Sequence, residues 1–192
     1  MTEPIGRRER KKAATRQALA DAALRLTMER GYDQVSVKDI AEEADVAVTT
    51  LFKHFPSKES LLFDRDADIE AELVSAVRDR PEGMSILQSL RAHIARSAPP
   101  SFDKRMEFMN LVEETKTLRE HFHRMWMRHE TAVAEAIAEE VGAPADDVTC
   151  AALAHFALES RVLMRRFGPT AEVMDQIFAL LEDGWSRAHP GA

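Results

Sequence analysis

Between Val35 and Leu62 the chain reads VSVKDIAEEADVAVTTLFKHFPSKESLL, and its chemically useful side chains suit a nucleic acid better than a reaction. Val48, Thr49, Thr50, Lys53 and His54 fall on one face of a short helix. They offer hydroxyls and methyls small enough for a groove floor, with cations at the edge for phosphates. Thr49 and Thr50 open that helix, where side chains enter a major groove first, and Thr50 is the leading candidate for a base contact. One helix earlier, Ser36 is placed as an N-cap, and a helix start of this kind presents backbone N–H groups to phosphate. Lys38 sits one turn in. Nothing comparable points to catalysis: the chain has no Gly-rich phosphate loop, serine elbow or Cys–His pair at a telling distance. His121, His123 and His129 do not read as a metal site, because residues two apart on a helix point about 200° away from each other. The expectation is therefore neither an enzyme nor a cofactor-dependent protein.

The elements that must hold these residues follow from spacing. Val37, Ile40, Ala41 and Ala44 recur at three- and four-residue intervals and form the buried face of a short helix. Ala44-Asp45-Val46-Ala47 is a corner, where Asp45 tolerates a left-handed backbone and Val46 plugs the angle. The helix Val48 to Phe55 turns Leu51 and Phe55 inward, which completes a helix-turn-helix layout. Upstream, Leu19, Ala22, Ala23 and Leu26 make the inner stripe of a helix stopped by Gly31, preceded by a basic arm over residues 1–12 that is mobile to about Arg8. Downstream, Ser57 caps a helix that starts at Lys58 and is expected to continue through Leu61, Leu62, Ile69, Leu73 and Val77 until Arg80-Pro81.

Three linked segments make the chain recognisable: the Ala22-Ala23 helix ending in ERGYD, the run SVKDIAEEA, and LFKHFPSKESLL. Over roughly its first third the chain resembles the TetR family of one-component transcriptional regulators. That resemblance implies that Lys38 reaches a base edge, that Lys53, His54 and Lys58 hold phosphates, and that the helix after Ser57 is the lever between body and reading head. It also implies a homodimer on double-stranded DNA and a small, often apolar, inducer. Three positions depart from the family pattern: Asp45 replaces the usual glycine, Ala47 a helix-capping serine, and Phe52, at a DNA-contact position, a tyrosine. A missing cap costs on the order of 1 kcal/mol, and Phe52 has no hydroxyl for phosphate, which shifts affinity toward the basic arm.

Composition sets the remaining bounds. The 192 residues carry a formal charge of −7, unusual for a DNA binder until the chain is split. Residues 1–65 hold 12 Lys/Arg against 11 Asp/Glu, and six of those cations lie between Arg7 and Arg16; the rest of the chain holds 14 against 22. A single cysteine, Cys150, excludes an internal disulfide framework and fits a reducing compartment. No signal region or membrane-length apolar run is visible, so a cytoplasmic protein is expected.

The remainder reads as helices over about 84–93, 102–114, 116–141 and 148–167, and a final amphipathic helix carrying Val173, Ile177, Phe178, Leu181 and Trp185. Met106, Met109, Phe122, Trp126, His129, His155 and Phe156 could line a ligand pocket, together with Met125 and Met164; the same residues read equally well as ordinary core. The helix from Val148 is apolar on two sides and needs cover on both, which points to a second copy of the chain. The fold expected is all-α, with about nine helices. A helix-turn-helix DNA-binding domain over 1–58 precedes a helical ligand-binding and dimerisation domain over 59–192. The function expected is a homodimeric repressor of a palindromic operator, released by a small apolar or amphipathic ligand. The alternatives are an activator, a ligand-independent regulator, or a helical small-molecule binding protein that no longer reads DNA.

Overall fold

The computed structural model describes residues 6–96 and 102–188. Its elements are α1 (Arg7–Arg30), a single 3-10 turn (Tyr32–Gln34), α2 (Val37–Glu43), α3 (Val48–His54), α4 (Lys58–Leu62), α5 (Asp66–Arg78), α6 (Ile86–Arg96), α7 (Phe102–Glu114), α8 (Lys116–Val141), α9 (Val148–Phe167) and α10 (Ala171–Ala188). No strand occurs among the described residues, so the fold is all-α as the sequence implied.

The described residues form ten helices rather than nine because the expected helix from Lys58 to Val77 is two. It breaks at Phe63, whose backbone (φ −113°, ψ 40°) leaves the helical region. Tertiary contacts override local propensity there. The Phe63 ring stacks on His121 at 5.2 Å and meets Phe108 edge-on at 5.8 Å, while Arg16 holds the Asp64 carbonyl. At the other end of the chain, the first five residues of the basic arm lie outside the described residues. Arg7 to Lys12, expected to belong to that arm, already form the opening turns of α1. The helix expected from Met84 starts instead at Ile86, because Ser85 and Gln88 cap each other: the Gln88 N–H donates to Ser85 Oγ and the Ser85 N–H to Gln88 Oε1, both at 3.1 Å.

The chain packs as two compact units, Met1–Arg65 with Asp103–Phe122 and Asp66–Phe102 with His123–Ala192. In the first, Leu19, Ala23, Leu26, Ile40, Leu51, Phe55 and Leu61 form one buried cluster, and Tyr32, Val112 and Leu118 a second, joined by Phe63, Phe108 and Phe122. In the other, Leu73 and Val77 of α5, Leu87 and Leu90 of α6, Val133 and Ile137 of α8, Leu158 of α9 and Phe178 of α10 share one core. Small residues on α9, namely Ala154, Ala157 and Ser160, are fully buried and let the neighbouring backbones come close. Several large side chains lie on the outside all the same: on α9 Phe156 is 56% exposed and Phe167 64%, and on α10 Leu180 is 75% exposed.

Candidate nucleic-acid interface

The corner between α2 and α3 is built by the residues expected to build it. Asp45 takes φ 52°, alone among the described non-glycine residues in having a positive φ. Its N–H bonds to the Glu42 carbonyl and that of Val46 to Ala41, so the turn is closed by backbone alone. Aspartate is among the few residues that accept this conformation cheaply, and its substitution for glycine therefore leaves the corner intact. Leu51 and Phe55 lie at 0% and 1% exposure, which fixes the rotation of α3 and turns its other face outward. Ala47 makes no side-chain cap, as its type dictates; its carbonyl still accepts from Thr50 and Leu51.

On the outward face, Thr49, Phe52 and Lys53 are exposed while Val48, Thr50 and His54 are half-buried. Phe52, at 51% exposure, places a large ring on the protein surface. A side chain at the start of α2, Lys38, is 74% exposed, with only the flexible Glu42 carboxylate 3.6 Å away. Such a pair in solvent holds the ammonium weakly. Ser36 is a true N-cap. Its Oγ accepts from the Asp39 N–H at 3.1 Å, and its own N–H donates to Asp39 Oδ2 at 2.7 Å. The Ser36 hydroxyl also donates to Asp39, and these hydrogen bonds hold the Asp39 carboxyl below its ordinary range. Both Ser36 donors are thus taken within the chain, and the N–H groups that helix geometry leaves for an anion are those of Val37 and Lys38.

Lys58 points inward. Its Nζ donates to the Tyr32 carbonyl and lies 3.7 Å from the centre of the Tyr32 ring, and burial pushes the ammonium below its ordinary pKa. The Tyr32 hydroxyl in turn donates to Glu59 at 2.5 Å. Burial and that carboxylate drive the phenol well above its usual range. For Lys58 to meet a phosphate, its ammonium must leave this cluster.

Arg16 is a residue that sequence reasoning grouped with the basic stretch without seeing its role. Nη1 donates to the His54 carbonyl at 3.0 Å and Nη2 to the Asp64 carbonyl at 3.1 Å, Nε pairs with the Asp64 carboxylate at 2.6 Å, and the guanidinium sits 4.4 Å over the Phe55 ring. It closes the C-terminus of α3 and the turn after α4 with one side chain. No sequence signal marked it, because its partners are 38 and 48 residues away.

The seven residues expected to line a ligand pocket divide between the units. Met106, Met109 and Phe122 are half-buried in the first. In the second, Trp126 is half-buried and His129 fully buried. His155 and Phe156 instead stand on the outer face of α9, His155 bonding Glu130 at 3.1 Å, because alanines and Ser160 occupy the inner face. A shallow groove of about 300 Å³ in the first unit is bounded by Thr27, Met28 and Gly31 on one side and Glu107, Asn110 and Leu111 on the other, none of them expected. His121 stacks on Phe63 and His123 is exposed; among the described residues no three His, Cys, Asp or Glu converge on a metal position. Cys150 is buried, and burial with the nearby Asp147 pushes its thiol up to about 11, which makes it a poor nucleophile. No described helix is long and apolar enough to cross a membrane.

Comparison with known proteins agrees with this geometry. The family described as bacterial regulatory proteins, tetR family, matches residues 19–64, and the family described as MftR C-terminal domain matches residues 84–186. The chain is 32% identical over 151 residues to the HTH-type transcriptional regulator TcmR of Streptomyces glaucescens, covering 74% of this chain and 67% of that protein. It is 38% identical over 76 residues to the HTH-type transcriptional repressor KstR of Rhodococcus jostii, covering 40% and 35%. Salmonella enterica GusR has the same fold, with a TM-score of 0.59 at 19% identity over 94% of this chain and 96% of that one.

Proposed function

Because this chain belongs to the TetR family of bacterial transcriptional regulators, we propose that it works as a homodimeric repressor that binds a palindromic operator and is released by a small apolar or amphipathic molecule. The observation that carries the reading is the outward set Lys38, Thr49, Phe52 and Lys53, displayed by two short helices that Ile40 and Leu51 anchor in the core. In this reading residues 1–58 are the DNA-binding domain, and 59–192 hold ligand and partner. Lys38 and Thr50 contact base edges, Val48 and Thr49 the groove floor, and Lys53 and His54 the phosphates. Phe52 packs on the sugar-phosphate chain, the α2 N-terminus that Ser36 caps faces a phosphate, and Lys58 joins once it leaves Tyr32. The partner is a second copy on the α9 and α10 face, where Phe156, Val162, Leu163, Phe167 and Leu180 are exposed. A ligand that favours a conformation with misplaced reading heads lowers operator affinity by its difference in affinity between the two states.

The test is selection from a random duplex pool, followed by competition binding at two salt concentrations. A palindromic winner is expected, and Lys38→Ala should lose affinity for it while keeping affinity for random DNA, at a cost of about 1–3 kcal/mol in discrimination. Equal losses on both would sink the base contact, and no enrichment at low salt would sink the DNA-reading function.

A further inference from the structure

We infer that Val48 and Thr49 recognise the 5-methyl group of thymine, so that each half of the operator places thymine against the first turn of α3. This rests on the DNA-binding reading above and names the base chemistry that reading needs.

A major groove is read by two-bond donors on a purine edge, by a carboxylate on the cytosine amine, or by apolar contact with the thymine methyl. Neither α2 nor α3 contains Arg, Asn or Gln, so Lys38 alone is left for a guanine once Lys53 is given to a phosphate. The carboxylates of α2 are engaged within the chain. Ser36 donates to Asp39 through both its N–H and its hydroxyl, Arg25 pairs with Glu43, and Glu42 lies 3.6 Å from the Lys38 ammonium. The reading helix α3 has no carboxylate at all. Of the three ways, contact with the thymine methyl is the one its opening residues can use.

Thr49 is exposed and stands about 200° round the helix from the buried Leu51, at the middle of the outward face. Val48 is half-buried and packs in part against the core of the first unit. Both side chains branch at Cβ, so few rotamers are open to them and their methyls are held in fixed directions. A hydroxyl both donates and accepts, so Thr49 Oγ1 bonds to any base edge and separates none of them. A methyl gains only from another apolar group, and in a major groove the thymine 5-methyl is that group. Discrimination at these two positions is therefore carried by carbon.

The test takes the full-length protein and the duplex that wins selection from a random pool. Each thymine of a half-site is replaced in turn by deoxyuridine, which loses only the 5-methyl and keeps every hydrogen-bonding edge. At a position facing α3 the affinity should fall about fourfold, the effect of one carbon returned to water, and about sixteenfold when both half-sites are changed. Cytosine at that position should bind worse still, and 5-methylcytosine should recover about fourfold of the loss. Thr49→Ser keeps the hydroxyl and Val48→Thr keeps the shape. One or the other should lower affinity for the thymine duplex and bind the deoxyuridine duplex as the parent does, so that the penalty disappears. A winning sequence without thymine in its half-sites, penalties below about twofold throughout, or full-sized penalties in both variants would each overturn the inference while the DNA-binding reading stands. A pool that yields no winner removes that reading, and the inference with it.

Discussion

The first unit buries Ile40, Leu51 and Phe55 beneath its helix-turn-helix; what α2 and α3 show to solvent is Lys38, Glu42, Glu43, Thr49, Lys53 and one ring, Phe52. The second unit leaves Val148, Phe156, Phe167 and Leu180 exposed along α9 and α10, although Leu153, Leu158, Met174 and Phe178 of the same helices are buried beside small residues. Both units pair arginines with carboxylates, Arg16 with Asp64 and Arg25 with Glu43 in the first, and Arg78, Arg80, Arg91 and Arg128 with Glu139, Glu140, Asp175 and Asp66 in the second, while Lys38 meets the solvated Glu42. The two seven-residue helices α2 and α3 are too short to persist alone, and survive by the Ser36 cap, the Asp45 corner and burial against α1. The twenty-residue α9 has helical length to spare and instead lacks cover. The difference is an apolar face left uncovered on α9 and α10, the face to which the proposed second copy is assigned.

The largest effect should come from Phe55→Ala, which removes a buried ring from the first unit and the face on which Arg16 stacks. It should cost about 3–5 kcal/mol in urea unfolding, with DNA binding lost alongside; a cost under about 1 kcal/mol would break the claim that this unit holds itself together. Replacing Phe167 and Leu180 together by serine should leave helical circular dichroism unchanged and raise the dimer dissociation constant by roughly a hundredfold in sedimentation. An unchanged constant would reduce the α9 and α10 face to ordinary surface.

Ser36→Ala sharpens the comparison at a smaller scale, since removing a cap of this kind costs about 1 kcal/mol. Because the folded Asp39 carboxyl lies below its ordinary value, its contribution is present above the usual aspartate range and is lost as pH falls through the folded value; the urea midpoint of Ser36→Ala should vary less with acid. The smallest effect concerns His93 on α6. Burial first, and then Arg161 and Arg96, press its pKa down against the pull of Glu72. The unfolded chain therefore binds the proton more readily, so stability rises with pH and declines as pH falls below about 6.5. His93→Asn should flatten the slope of the melting temperature between pH 7.5 and 5, and an unchanged slope would assign it to other groups.

Features set by neighbours in the chain were legible. Ser36, Asp45, Leu51 and Phe55 act through caps, turns and helical spacing that extend no more than a few residues, and each is where its type and position put it. What depended on distant partners was not. The break at Phe63 is made by Phe108 and His121, the inward turn of Lys58 by Tyr32, and the role of Arg16 by His54 and Asp64. Periodicity gave α9 two apolar sides, Ala152, Phe156 and Leu163 on one and Ala151, His155, Leu158 and Val162 on the other; of these only Leu158 is buried, and the covered face is that of Leu153, Ala154, Ala157 and Ser160. Periodicity alone assigned His155 and Phe156 to an interior.

Arg16 has a mechanical consequence. A guanidinium is flat and stiff, and its two terminal nitrogens sit a fixed distance apart. By gripping the carbonyls of His54 and Asp64 with those two nitrogens, it acts as a spacer bar between the last turn of α3 and the chain that follows α4. A pull on that segment of less than the length of one side chain must either drag the end of α3 with it or tear one of the two bonds, so a small tug at residue 64 is delivered at α3 without crossing the hydrophobic interior.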